Sequence, residues 1–163
     1  MREAARRDVT VVRPYGDAVR VRVFALLERA GLRIRDENVI PPRTSDEEVI
    51  ERLRGRRPEV MLIPFHAHRD ADGAVVNGID LVDKLMRELP ELVGTPVLMP
   101  VSLVGLAGAR LRLSATATTP LPEEVRASVL LLDESRLGEE GLAEVVTEHV
   151  ENVGRRRAAG ARG

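Results

Sequence analysis

The densest run of chemistry-bearing side chains is HAHRDADG, residues 66–73. In extended backbone, every second side chain lies on the same side. His66 and His68 would then present their imidazoles together, as a workable pair of metal ligands. Asp70 or Asp72 would complete a set for zinc or another transition metal. The competing reading is a polar loop in which DADG forms a turn. A second polar group, Arg13, Tyr15 and Asp17, follows the first apolar run. It suits an anion or a partner's carboxylate, or its members satisfy one another and the local backbone. His149 falls on an apolar helical stripe, where a buried, hydrogen-bonded ring is expected rather than a ligand. Residues 155–157 are consecutive arginines. They read as a solvated tail, capable of weak contact with nucleic acid or an acidic partner.

These groups need a scaffold, and the apolar pattern supplies one. VTVV at 9–12 is short, β-branched and continuous, as in a strand buried on both faces. Asp17 is placed to cap a helix whose apolar positions are Val19, Val23, Leu26, Leu27 and Ala30, with Gly31 as its stop. Residues 32–36 alternate as a strand nearer an edge. Ser45 and Glu48 form a capping-box pattern before Val49, Ile50 and Leu53. Residues 60–65 (VMLIPF) are a third strand. Ile79, Val82, Leu85, Met86 and Leu89 share a helix face that stops at Pro90. Residues 95–101 (TPVLMPV) are a fourth strand. This alternation implies a doubly wound, mostly parallel α/β sheet, flavodoxin-like in class, covered by helices on both faces.

After Val101 the pattern is less regular. No helix is expected between 101 and 109. Residues 109–118 (ARLRLSATAT) alternate strictly, as a half-exposed strand. Pro122, Glu123 and Glu124 look like a helix start, and residues 129–132 are one more candidate strand. A final helix from Gly141 carries Leu142, Val145, Val146, His149, Val150 and Val153 on one face. The expected organisation is an N-terminal extension at 1–8, one α/β domain at 9–153 with an added C-terminal strand or helix, and a disordered basic tail at 154–163.

Composition narrows the chemistry. The chain has 163 residues, 44% of them hydrophobic and 31% charged, and no cysteine. Disulfides, thiolate metal sites and a cysteine nucleophile are therefore excluded. The balance of 25 basic against 26 acidic residues gives no global attraction to nucleic acid. Tyr15, Phe24 and Phe65 are the only aromatic residues, too few for a base-stacking surface. Residues 1–8 lack the apolar stretch of a secretory signal, and no run suits a spanning helix. A cytoplasmic protein is expected. Lys84 is the sole lysine.

Several runs resemble the receiver domain of bacterial response regulators. VTVVRPYGDAVRVRVFALLERAGLRI is similar to that family's first strand, first helix and second strand. RLRGRRPEVMLIP is similar to the run into its third strand. DGAVVNGIDLVDKLMRELPELVGTPVLMPVS resembles its third helix and fourth strand, and TPLPEEVRASV the proline-led start of its last helix. The resemblance covers residues 9–130 and rests on element order. FALLERAGLRIRDENVIPP is more faintly similar to Toll/interleukin-receptor-like domains, without a Glu-bearing catalytic motif.

The resemblance also implies which positions should carry the family's chemistry. Two acidic residues should follow the first strand to hold magnesium, and Arg13 and Pro14 stand there. A phosphoryl-accepting aspartate should end the third strand, where Pro64 or Phe65 stands. A Ser or Thr should end the fourth, where Val101 stands with Ser102 beside it. A lysine should precede a proline after the fifth strand, where Thr119 precedes Pro120. The reading that follows is a degenerate receiver, a non-enzymatic pseudo-receiver without aspartyl phosphorylation. It would need no cofactor and would present a surface to a protein partner or to a second copy, away from membranes. Two alternatives remain open. One is a metal-binding or metal-dependent hydrolase domain on the 66–72 loop, whose HxH is similar to that of amidohydrolases. Those enzymes need further histidines, and only His149 remains. The other is a small-ligand sensor using the mouth after the first and third strands.

Overall fold

The computed structural model describes residues 6–14, 16–66, 68–69, 75–117 and 119–162, leaving aside the side chains of 68, 69, 75, 161 and 162. The apolar runs form β1 (Arg7–Val12), β2 (Leu32–Ile40), β3 (Val60–Leu62), β6 (Val97–Val101) and β7 (Val129–Asp133). They make one parallel sheet in the order β2-β1-β3-β6-β7. In the connection after β3, β4 (His68–Arg69) and β5 (Val75–Val76) form a separate two-stranded antiparallel sheet.

Period-two alternation splits the core into two layers. Met61, Ile63, Val97, Met99 and Val101 point to one face, under α2 (Asp46–Leu53), α3 (Gly78–Glu88), α4 (Leu103–Arg112) and α5 (Glu123–Ser128). Val9, Val11, Leu62, Leu98 and Leu132 point to the other, under α1 (Asp17–Arg29) and α6 (Leu142–Arg162). Runs such as VMLI are apolar throughout because both faces are covered. The fold is the doubly wound, flavodoxin-like sheet that the pattern implies. Among the described residues, no helix is long and apolar enough to cross a membrane.

The helices α2 and α3 open on side-chain caps, and the first is the one the sequence pattern predicts. Ser45 Oγ accepts from the Glu48 amide at 3.2 Å and starts α2. Asn77 Oδ1 accepts from the Ile79 and Asp80 amides, while Asp80 Oδ2 accepts from the Asn77 amide at 3.0 Å. That reciprocal box starts α3. At α1 the expectation is corrected: Gly16, at φ 63, is the cap residue, and Asp17 is the first helical residue without a capping bond.

Three expectations after Val101 are also corrected. Of residues 109–118, read as a strand, the described residues 109–117 form none. The helix α4 begins at Leu103, with Ser102 Oγ accepting from the Gly105 amide at 3.2 Å. Its glycines did not break it, because Gly105 serves close packing: a β-carbon there would stand 3.3 Å from the Phe65 ring. Leu106 and Ala109 alone are buried on α4, too narrow a stripe to register as a helical period. The fifth strand is β7, in parallel register with β6 from Val97↔Val129 to Val101↔Asp133. It and α6 complete the fold rather than adding to it. Finally, α6 continues through the basic segment to Arg162. Its arginines lie at the helix C-terminus, where cations are favoured, and Arg157 Nη2 donates to the Glu91 carbonyl at 2.7 Å. At the other end, β1 begins at Arg7, inside the stretch read as an extension.

Candidate functional site

The strand order places β1 between β2 and β3, so consecutive connections leave the sheet on opposite sides there. Parallel sheets bind ligands at the carboxyl ends of the strands beside such a switch point. The residues gathered there are apolar. Pro14, Val19, Val23, Phe24, Leu62, Pro64 and Pro100, with the stem of Arg20, enclose a crevice of only about 20 Å³. It adjoins a shallower recess of about 390 Å³ lined by Pro14, Arg20, Val21, Phe24, Asp36 and Val39. Proline has no amide donor, so Pro100 cannot donate across to the third strand, although the Ile63 amide still donates to the Leu98 carbonyl at 3.0 Å. Beyond it the Phe65 amide still reaches the Pro100 carbonyl at 3.0 Å.

Arg13 is turned away from this mouth. Its amide donates to the Ile40 carbonyl at 2.8 Å, and its backbone adopts φ 49, the left-handed region that non-glycine residues rarely occupy. Nη1 donates to Asp46 Oδ1 at 2.7 Å and to the Thr44 carbonyl at 3.2 Å. The two charged side chains are 13% and 5% exposed. This is a nearly dry ion pair between the end of β1 and the first turn of α2. Asp17 is not part of it: fully exposed, it lies 3.4 Å from Arg20. Tyr15 lies outside the described residues.

The other sequence-nominated positions divide as follows. Pro14 and Pro64 line the crevice. Phe65 packs its ring on Gly105. Val101 is buried in the core, and Ser102 is occupied as the α4 cap. Thr119 is displaced from the site, because the fifth strand is β7. It lies in the connection between α4 and α5, its carbonyl accepting from Arg112 at 3.1 Å. The residue ending the fifth strand is Asp133, whose Oδ1 accepts from the Ser135 hydroxyl at 2.7 Å and amide at 2.9 Å. Those bonds hold its carboxyl below the usual carboxylate range. Lys84 sits on α3, with Nζ 3.3 Å from Glu47 on α2.

Of the proposed metal ligands, His66 is exposed at the end of the third strand's extension. His68 is in β4, its backbone paired with Val76. Asp70 and Asp72 lie outside the described residues. Among the described residues, no three His, Asp or Glu side chains converge as a metal site. His149 is half-buried, its Nε2 2.8 Å from the Ser128 carbonyl. Burial pushes its imidazole down, the Ser128 bond opposes this, and Arg156 adds to it.

Two contacts at this end of the sheet escaped the sequence reading. Asp46 lies 33 residues from Arg13, and no local pattern links them. Gly78 is the other: a β-carbon there would stand 2.2 Å from the Pro64 carbonyl oxygen. The start of α3 therefore rests directly on the backbone of the third strand's end. The missing side chain before a helical run was the available signal.

No protein-family model matches the sequence, and no curated protein matches it either. Solved structures do resemble the fold. NtrX from Brucella abortus, in complex with ADP, superposes with a TM-score of 0.56 at 13% identity, covering 97% of this chain. This chain spans only 29% of that protein's length. The REC domain of AraT, a response regulator from Geobacillus stearothermophilus, gives 0.51 at 14% identity, covering 92% of this chain and 97% of its own. A two-component transcriptional regulator, AraC, from Clostridium phytofermentans gives 0.53 at 12% identity, covering 95% and 99%. The chain has a receiver-like fold. The crevice of Pro14, Pro64 and Pro100 lies at the carboxyl ends of the strands of this fold, and the helix α4 follows the fourth strand of the sheet, where the sequence pattern predicts none.

Magnesium is the cation that the sequence resemblance implies at this end of the sheet, and the described residues do not fit it. Magnesium takes carboxylates and water. The described lining of the crevice offers prolines, aliphatic groups and Phe24, and Asp46 is engaged by Arg13.

Proposed function

We propose that the protein is a pseudo-receiver, a signalling module that keeps the receiver scaffold and works by protein contact rather than by aspartyl phosphorylation. The observation that carries this reading is the apolar, proline-lined mouth. Phosphoryl transfer to an aspartate is an in-line displacement that needs a carboxylate nucleophile and a cation at the phosphoryl oxygens. Pro14 and Pro64 contribute neither. The only lysine, Lys84, is held on the outer surface by Glu47.

A contact surface is available on α4. Leu103, Val104 and Leu111 are 67%, 95% and 66% exposed, and Ala107 and Gly108 lie exposed between them. Large aliphatic groups standing together on one helix face mark an interaction site more often than an idle surface. Arg110 flanks the stripe. The fitting partner is a protein surface with an apolar ridge and carboxylates at its rim. Incubation with acetyl phosphate and magnesium, followed by intact-protein mass spectrometry, tests the reading. An unchanged mass is expected; a phosphoryl adduct mapped to an aspartate overturns it.

A further inference from the structure

A groove of about 500 Å³ lies at the opposite end of the sheet, between α5 and the last turns of α6. Gly94, just before β6, and α5, which leads into β7, place it at the amino ends of the strands. Its floor includes Val93, Ala127 and Val153. Glu123 and Glu124 stand on one side, Arg156 and Arg157 on the other. The two charged walls do not pair with each other: no ion pair joins them among the described residues. The basic wall is also held in place. Arg157 donates to the Glu91 carbonyl at 2.7 Å, and its stem lies so close to Gly94 that a β-carbon there would stand 3.0 Å from the Arg157 Cβ.

Opposed, unbridged charges over an apolar floor are complementary to a molecule carrying both charges. The volume is that of a small-molecule site. A wall fixed beforehand lowers the ordering cost of binding. We propose that this groove binds a small zwitterion with an apolar body. Its anionic group meets Arg156 and the spare donors of Arg157, its cationic group meets Glu123 and Glu124, and its hydrocarbon lies over Val93, Ala127 and Val153. The site is independent of the mouth and of α4, so it stands or falls separately from the pseudo-receiver reading.

The test is an NMR titration of the full isotope-labelled chain with straight-chain ω-amino carboxylates of about four to eight carbons, the span a recess of this class accommodates. Saturable shifts are expected at Gly94, Ala127, Val153 and Arg156 for a preferred length. Hexanoate and hexylamine, each lacking one charge, should bind about tenfold more weakly or worse, since each loses its charge-assisted contacts. Arg156→Glu should abolish binding and Arg156→Lys should retain part of it, both with an otherwise unchanged spectrum. The proposal is overturned if no length saturates by about 20 mM, far above a millimolar Kd. It is equally overturned if the single-charged probes bind as well, or if Arg156→Glu binds normally.

Discussion

Replacing Arg13 by alanine probes the ion pair that ties the end of β1 to the start of α2. The guanidinium is 13% exposed and its partner Asp46 is 5% exposed, so the pair is screened little by solvent. Removing one member of a buried pair costs about 3–5 kcal/mol. Asp46 lies in the first turn of α2, where the helix macrodipole favours a negative charge by about 0.3–1 kcal/mol. The expected loss is therefore at the low end, about 3 kcal/mol. Arg13 also holds a left-handed backbone, φ 49, which costs a side-chain-bearing residue about 1 kcal/mol relative to glycine. Arg13→Gly should consequently be less destabilising than Arg13→Ala by about that amount. Asp46→Ala combined with Arg13→Gly should cost less than the sum of the singles, with a coupling of about 1–3 kcal/mol. Urea melts with matched m-values compare these four variants with wild type. A loss below about 1 kcal/mol for Arg13→Ala, typical of an exposed pair, would refute the argument. So would strict additivity in the double variant.

Other outcomes follow from the same contacts. Gly78→Ala gains about 1 kcal/mol of helix propensity. It also drives a β-carbon to 2.2 Å from the Pro64 oxygen, and overpacking against backbone costs about 1–3 kcal/mol; urea denaturation should show a net loss. His149 is depressed chiefly by burial, so the unfolded chain binds the proton more readily than the native one. Stability should be fully present above the ordinary value of 6.5 and fall as pH drops from there through the folded value. Melts of wild type and His149→Asn across that window should diverge, and parallel curves would contradict the buried ring. Val104→Glu, on a side chain 95% exposed, should leave stability within about 0.5 kcal/mol while removing contact with the physiological partner, read by affinity once that partner is purified. An unchanged affinity would remove α4 from the interface.

The first four strands and three helices of the sheet were legible because their patterns are redundant. VTVV, VMLI and the 97–101 run are buried on both faces, and α2 and α3 carry caps as well as apolar stripes. The misreading lay in residues 101–118. There, Leu111 and Leu113 alternate with arginines, and the true helix buries only Leu106 and Ala109 on its inner face. A helix that leaves Leu103, Val104 and Leu111 in solvent has no clean 3.6-residue signal, since its second apolar face is not a core face. The same exposure that hid α4 from the pattern makes it the candidate contact surface. At the mouth, the identities of Arg13, Pro14 and Pro64 were readable, but not what they do. Arg13's partner comes from another element, and Gly78's fit to Pro64 depends on how α3 crosses the strand end.

The displaced fifth strand separates two kinds of inference about the receiver mouth. Assigning Thr119 to the lysine position depended on where the strand ended, and it failed when β7 proved to end at Asp133. The argument from composition did not depend on register. A chain with one lysine, and that lysine on α3 beside Glu47, has none to place after any strand. The change of register also alters the electrostatics. A carboxylate held ionised by Ser135 now ends the fifth strand, where the receiver resemblance implies a cation. An incoming phosphoryl group would meet prolines beside β1 and β3, and at β7 a carboxylate already 3.6 Å from the Arg136 guanidinium. None of these supplies the cation that the reaction needs at the phosphoryl oxygens, so restoring a single residue should not restore the chemistry. Pro64→Asp, the substitution that puts a nucleophile back at the third strand's end, should remain unphosphorylated by acetyl phosphate. An adduct on that aspartate would show that the mouth lacks only its nucleophile, and the apolar lining would lose its explanatory role.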